Sequence, residues 1–315
     1  MAANTILVTG AMGFAGTHLR AALRASFPHA RIVGTGLHAC EDMLALDITA
    51  RDAVHELIAS LRPDVCVHLA GIAAIGAARA NPEQAWAINL HGTLNIADAI
   101  MAGAPHCRLM FVSSAECYGA SFKPGRALDE TALLAPINLY AATKAAADLA
   151  LGARAAEGLR LLRLRPFNHT GPGQSEDFVV PAFAGQIARI EAGFMPPEIA
   201  VGSLEPERDF LDIRDICAAY MRCVECDEDL SQNEIFNLAS GRAVKIGTVL
   251  GMLLERAKCP ISIRTDPARL RPVEIPRAIG DAAHAANMLG WTPKFPLGET
   301  LDTVLDFARR KTISG

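Results

Sequence analysis

Near its N-terminus the chain reads TILVTGAMGFAG, an apolar, β-rich run that breaks at once into glycines at positions 10, 13 and 16. No other stretch restricts the fold as tightly. The turn it describes is too tight for side chains, and it opens directly into a helix beginning near Phe14. Such a strand, turn and helix lets a pyrophosphate approach bare backbone and aims the positive end of a helix at it. The setting predicts a dinucleotide-binding unit with Gly10, Gly13, Phe14 and Gly16 as its candidate contacts.

The rest of the first half repeats the same grammar. TILVTG, RIVGTG, DVCVHLAG, RLMFVSS and LRLLRLRP read as strands buried on both faces. GTHLRAALRAS, DAVHELIASL, AWAINLHGTLNIADAIMA and YAATKAAADLALGARAA read as the helices between them. Strands alternating with helices predict an α/β, Rossmann-type doubly wound parallel sheet with right-handed crossovers. After about residue 167 the chain becomes rich in turns and prolines, as in NHTGPGQSEDF and CPISIRTDPARLRPVEIPRAIGD. Residues 1–167 are therefore expected to form the dinucleotide domain, with 210–239 returning to it as a helix and a strand. Residues 168–209 and 240–315 are expected to form mainly a smaller, irregular α/β substrate region, with a ligand cleft between the two.

Composition narrows the function classes. The 315 residues carry a net charge of −4 and no long charge run, which gives no electrostatic reason to expect nucleic acid or a membrane surface as partner. The start has no charged and apolar leader, and no apolar stretch is long enough to span a bilayer, so a cytoplasmic protein is expected. Eight cysteines in that setting are expected to be reduced thiols. Cys223 and Cys226 form a C-x-x-C pair without a second pair or a histidine, so no metal site is expected; they read as neighbours on a helix face.

Tyr140 and Lys144 in YAATK stand at i and i+4 of one helix, on the same face and about 6 Å apart along its axis. An ammonium at that spacing is expected to lower the phenol's pKa and make the tyrosine a proton donor or acceptor near neutrality. About 25 residues upstream, SSAECYG leaves a strand end, where α/β sheets carry their chemistry, and supplies Ser114 and Glu116. The second strand ends in VGTGLHAC, with neither the acidic residue that favours NAD nor an arginine that favours NADP, so the cofactor preference stays open. Asp47 in ALDIT closes the next short strand and is a candidate adenine contact, and His38 is a candidate phosphate contact.

With glycine array, serine, tyrosine and lysine in order, the chain resembles the extended short-chain dehydrogenase/reductase family over essentially its whole length. Further matches are Asp47-Ile48, HLAG with Leu69, Ala70 and Gly71, and Asn89 in INLHGT. The resemblance implies that these residues line an NAD(H) or NADP(H) site. It also implies that Ser114 binds the substrate carbonyl or hydroxyl, that Tyr140 moves the proton, and that Lys144 holds the nicotinamide ribose. RPFNHTGPGQSEDF, ERDFLDIRDI and DPARLRPVEIPR look like the nucleotide-sugar branch, and most like its GDP-4-keto-6-deoxy-D-mannose reductases. That likeness implies a GDP-sugar substrate touched by Asn168, Gln174, Phe178, Arg208, Arg271 and Glu274, with the arginines as diphosphate clamps. It also implies a homodimer formed through the Asn89–Met101 and Tyr140–Ala156 helices.

Glu116 keeps rivals in view. It matches the carboxylate base of nucleotide-sugar 4,6-dehydratases, although Ala115 stands where the dTDP-sugar dehydratases have an aspartate. A 4-epimerase, or a catalytically silent dinucleotide sensor, would use the same fold.

Overall fold

A computed structural model describes residues 3–40, 43–226, 230–270 and 275–314. Strand β1 (Thr5–Thr9) leads through the glycine turn into helix α1 (Phe14–Ser26), and β2 (Arg31–Gly36) and β3 (Met43–Ala45) continue outward on the same side. The chain then crosses back through α2 (Arg51–Leu61) to β4 (Val65–His68). Two short helices, α3 (Ile75–Ala80) and α4 (Pro82–Trp86), precede α5 (Thr93–Gly103), β5 (Arg108–Val112), α6 (Leu139–Ala156) and β6 (Arg160–Pro166). Beyond these come β7 (Asn168–Thr170), α7 (Val179–Glu191), β8 (Glu198–Val201), β9 (Glu207–Asp212), α8 (Ile213–Glu225) and β10 (Asn233–Leu238). The described chain ends with β11 (Ala243–Lys245), α9 (Ile246–Leu254), β12 (Ser262–Thr265), β13 (Arg277–Ala278), α10 (Ala283–Leu289) and α11 (Leu297–Ser314).

Seven strands form one parallel sheet in the order β10-β6-β5-β4-β1-β2-β3. Strand order reverses between β1 and β4, so the crevice beyond their carboxyl ends is the natural ligand site of the sheet. Leu19 and Leu23 of α1 pack with Ile216 and Tyr220 of α8 on one face. Val54 and Ile58 of α2, Ile96 and Ile100 of α5, and Ala147 and Leu151 of α6 cover the other. Both faces are thus dry, which is why these strands read as unbroken apolar runs. A separate core joins α7, α9, α11 and β8 through Phe183, Ile187, Ile199, Leu250 and Leu305.

Two local expectations change. The segment expected as one helix from Ala85 to Ala102 is α4, a π-helical turn over Ala87–Gly92, and α5. The wider turn carries Asn89 inward, and Gly92 lets Ile48 pack against it: a methyl group there would stand 2.7 Å from Ile48 Cδ1. The short strand expected to end at Asp47 stops at Ala45. Asp47 instead caps its own turn, accepting from the Thr49 N–H at 2.9 Å and the Thr49 hydroxyl at 2.7 Å.

Candidate active site

The glycine turn sits at the strand-order reversal. Gly10 has φ +67°, and a methyl group on it would lie 2.6 Å from the Ala70 nitrogen, so β1 and the Leu69–Gly71 segment meet with no room for a side chain. A methyl group on Gly16 would stand 2.3 Å from the Gly10 carbonyl oxygen, which closes the helix onto the turn. Gly13 is the N-cap of α1; no side chain caps it and no acidic residue occupies the first turn. The first N–H groups of a thirteen-residue helix are therefore left for an anion. This bare cradle fits a dinucleotide pyrophosphate held by Gly10, Gly13 and Phe14.

Asp47 is exposed beside the crevice, with Oδ1 engaged in its own turn, and Ile48 is buried. Asn89 plays a different part from the expected cofactor contact. It is buried, accepts from the Ile72 N–H at 2.8 Å, and donates to the Ile72 carbonyl at 3.1 Å and the Thr143 hydroxyl at 3.0 Å. Its amide thus braces the loop after β4 against α6.

The catalytic candidates converge at the end of β5. Ser114 caps a 3₁₀ helix (Ala115–Phe122), accepting from the Glu116 N–H at 3.2 Å, and its hydroxyl acts on the Tyr140 phenol, pulling its pKa down. Asn138 caps α6 through the Ala141 N–H at 2.8 Å and donates to Glu116 Oε2 at 3.3 Å. One residue thereby sets both the start of the Tyr140 helix and the position of the carboxylate. Lys144 donates to the Val112 carbonyl at 2.5 Å and lies 4.4 Å from the centroid of the Phe111 ring.

The electrostatics differ from the simple expectation. Tyr140 is 9% exposed, and burial pushes its pKa well up against the smaller downward pull of Ser114; Cys117 and Glu116 push it further up. The protein alone therefore holds the phenol protonated. Lys144, 7% exposed, is pulled down to about 8 by burial, opposed by Cys117 and Asp148. Cys117 is itself buried between Ser113 and the Ala141 carbonyl, and burial pushes its thiol up to about 11.

Arg208 also reaches this group. Burial lowers its pKa, and the Glu116 charge acts the other way. Its Nη1 donates to the Glu207 carbonyl at 2.8 Å and the Ile275 carbonyl at 3.1 Å. Its neighbour Asp209 is no partner in a surface ion pair: fully buried, it accepts from Ser240, Gly241 and Gly280. Asn168 opens β7 with an exposed side chain, and Phe178 is the N-cap of α7. Gln174 turns its amide nitrogen to the His169 carbonyl at 2.9 Å, while its Oε1 is buried without a partner. Arg271 and Glu274 lie outside the described residues.

Beneath the site lies a group that the motif reading missed. Asp148, on the turn of α6 after Lys144, is 0% exposed. Arg165 grips it with two bonds, at 3.0 and 2.8 Å, and Arg163 with a third at 3.2 Å. Arg165 continues to the Tyr118 hydroxyl, which donates to Asn237. The signal was present in LRLLRLRP: two arginines at i and i+2 share one face of an otherwise apolar strand, and a buried cation needs a carboxylate.

Comparison with known proteins agrees with this geometry. A family profile described as GDP-mannose 4,6 dehydratase matches residues 7–304. A GDP-6-deoxy-D-mannose reductase of Pseudomonas aeruginosa is 34% identical over 302 residues, 95% of each chain. A GDP-6-deoxy-D-talose 4-dehydrogenase of Aggregatibacter actinomycetemcomitans is 26% identical over 90% of this chain and 91% of its own. Among solved structures, RMD from Pseudomonas aeruginosa complexed with NADPH superposes with a TM-score of 0.86 at 31% identity, over 98% of this chain and 99% of that one. The chain therefore belongs to the GDP-mannose 4,6-dehydratase-like family of short-chain dehydrogenase/reductase enzymes.

Proposed function

We propose that this enzyme reduces the C4 ketone of GDP-4-keto-6-deoxy-D-mannose, with NADPH or NADH, to GDP-D-rhamnose or its C4 epimer GDP-6-deoxy-D-talose. The observation that carries the reading is a buried phenol, kept protonated by its enclosure, beside a buried serine at the end of β5. A ketone reduction needs a proton donor, and a tyrosine in this state is one. The reductase and talose dehydrogenase relatives support the C4 position and the guanosine nucleotide. The NADPH-bound neighbour supports the cofactor class.

In this mechanism Ser114 receives the C4 oxygen and Tyr140 gives it a proton. Lys144, anchored at Val112, supplies the positive charge that stabilises the phenolate left behind. A bound nicotinamide supplies the hydride. Gly10, Gly13, Phe14 and the exposed Asp47 hold the dinucleotide, with Ile48, Leu69, Ala70 and Gly71 forming the wall of its site. Asn168, Gln174, Phe178 and Arg208 line the sugar and diphosphate side, and Arg271 and Glu274 are assigned to the nucleotide by the resemblance. Residues 1–167 with 210–239 serve the cofactor, and 168–209 with 240–315 mainly serve the sugar nucleotide.

The dehydratase reading draws on Glu116, whose charge acts on Tyr140. Against it, Glu116 is tethered by Asn138 and faced by Arg208, and the residue before it is the buried Ala115. A carboxylate so engaged suits a sugar hydroxyl better than a C5 proton. Absorbance at 340 nm separates the two, since a reductase consumes cofactor stoichiometrically. Loss of NADPH or NADH on addition of the keto sugar is expected; no loss with either would sink the reading. Glu116→Gln is expected to lower kcat by less than about tenfold, where removal of a general base costs about 10²–10⁴.

The outer face of α6 carries Leu149, 60% exposed, which suits pairing of α5 and α6 with a second copy. Light scattering is expected to give the mass of two chains, and a one-chain mass would refute the dimer. Among the described residues no helix is long and apolar enough to cross a membrane; we take the enzyme to work in the cytoplasm.

A further inference from the structure

His68 ends β4 and is wholly enclosed, yet both ring nitrogens are engaged: Nδ1 lies 2.7 Å from the Thr9 hydroxyl and Nε2 3.0 Å from the Thr93 hydroxyl. The surrounding bonds fix the direction of each proton. Thr93 spends its only hydroxyl proton on the Asn89 carbonyl at 2.8 Å, so His68 Nε2 has to donate to Thr93. A neutral ring then accepts at Nδ1, and Thr9 donates to it while receiving the Ala70 N–H at 3.3 Å. From Asn89 the side-chain amide donates to the Thr143 hydroxyl at 3.0 Å, which donates to the Tyr140 carbonyl at 2.8 Å. Thr9 immediately precedes Gly10, and Ala70 is the residue on which Gly10 packs.

We propose that His68 is a positioning residue: a neutral imidazole protonated on Nε2, it joins the glycine turn to the Tyr140 turn of α6 through one directionally ordered chain of buried hydrogen bonds. The inference rests on the reading of Tyr140 as proton donor. Its consequence is that the spacing between the dinucleotide cradle and the reacting phenol is set by side chains, across β1, β4, α5 and α6, and not by the backbone of any single element. Neutrality follows from the surroundings. Burial and then the nearby Lys144 ammonium pull the His68 pKa down to about 3, so the ring presents an acceptor to Thr9 at every working pH.

Two measurements test this on the full-length enzyme. Imidazole ¹⁵N shifts, with His68 assigned by its loss in His68→Gln, are expected to show protonated Nε2 and unprotonated Nδ1, unchanged from about pH 5 to about pH 9. A ring protonated on Nδ1, or on both nitrogens at neutral pH, would overturn the chain. Thr9→Val and Thr93→Val each remove one hydroxyl at nearly constant volume. Each is expected to lower kcat about tenfold, with the Kd for NADPH changed less than about threefold, because placement is lost and not binding. The double variant is expected to be little worse than either single one, since a chain broken once transmits nothing more. Full kcat in both single variants would overturn the positioning role. The ring measurement needs no sugar substrate. A wild-type enzyme without ketoreductase turnover would count against the substrate reading, and the tautomer would still decide the chain.

Discussion

Tyr140→Phe is expected to lower kcat for ketone reduction by about 10²–10⁴ while leaving the Kd for NADPH within about threefold of wild type. The substitution removes one oxygen from a ring that packs against Ala78 and Ala85, so the apolar contacts survive and only the hydroxyl and its proton are lost. Stopped-flow turnover at 340 nm and fluorescence titration of the dinucleotide separate the two quantities. Retention of more than about a tenth of wild-type kcat would show that the proton comes from elsewhere. The pH profile carries a second signature. Burial keeps the phenol protonated well past neutrality, so the donor itself does not limit the rate there. Lys144, at about 8, is the first group of the pair to change charge. In the free enzyme kcat/KM for reduction is therefore expected to hold level through neutrality and to fall as the pH rises past about 8, where the ammonium is lost.

Much of this arrangement was legible because it depends on local chemistry. Glycines 10, 13 and 16 announce a turn without side chains. The alternating apolar strands and Ala-rich helices announce a sheet covered on both faces, and Tyr140 with Lys144 fall on one helical face at any reasonable helix start. What escaped depends on long-range burial. The i, i+4 spacing gave the wrong sign for the phenol's shift: the enclosed ring is pushed up by desolvation, and the Lys144 ammonium is turned to the Val112 carbonyl. Asn89 read as a cofactor contact because its motif lies at the right place in the chain, whereas a π-helical turn rotates its amide into the protein. Arg208 and Asp209 are neighbours in ERDFLD, and neighbouring opposite charges in a sequence read as readily as a surface ion pair as two separate roles. Only the fold sends successive side chains of β9 to opposite faces, one toward Glu116 and the other into the buried turn at Ser240.

Asp148→Asn is expected to destabilise the fold by about 3–5 kcal/mol, because it leaves Arg163 and Arg165 buried without the carboxylate that pairs with both. Burial alone would push the Asp148 carboxyl up. The hydrogen bonds and charge of Arg165, with Ser113 and Arg163, hold it below the ordinary carboxylate value instead. A depressed folded pKa means the contribution is complete above about pH 4 and is lost only as the pH falls below that, so the comparison belongs at neutral pH. Urea denaturation there is expected to show the loss as a lower midpoint with little change in slope. A shift below about 1 kcal/mol would mean that Arg163 and Arg165 find other partners and that the cluster contributes little. The same substitution reaches the chemistry through charge. Asp148 is one of two neighbours that hold the Lys144 pKa up against burial, so its removal is expected to move the alkaline fall of kcat/KM to lower pH. A cluster that only stabilised the fold would lower the denaturation midpoint and leave that limb in place. Movement of both would mean that the buried carboxylate both fastens α6 to β6 and keeps the lysine one turn above it charged at neutral pH.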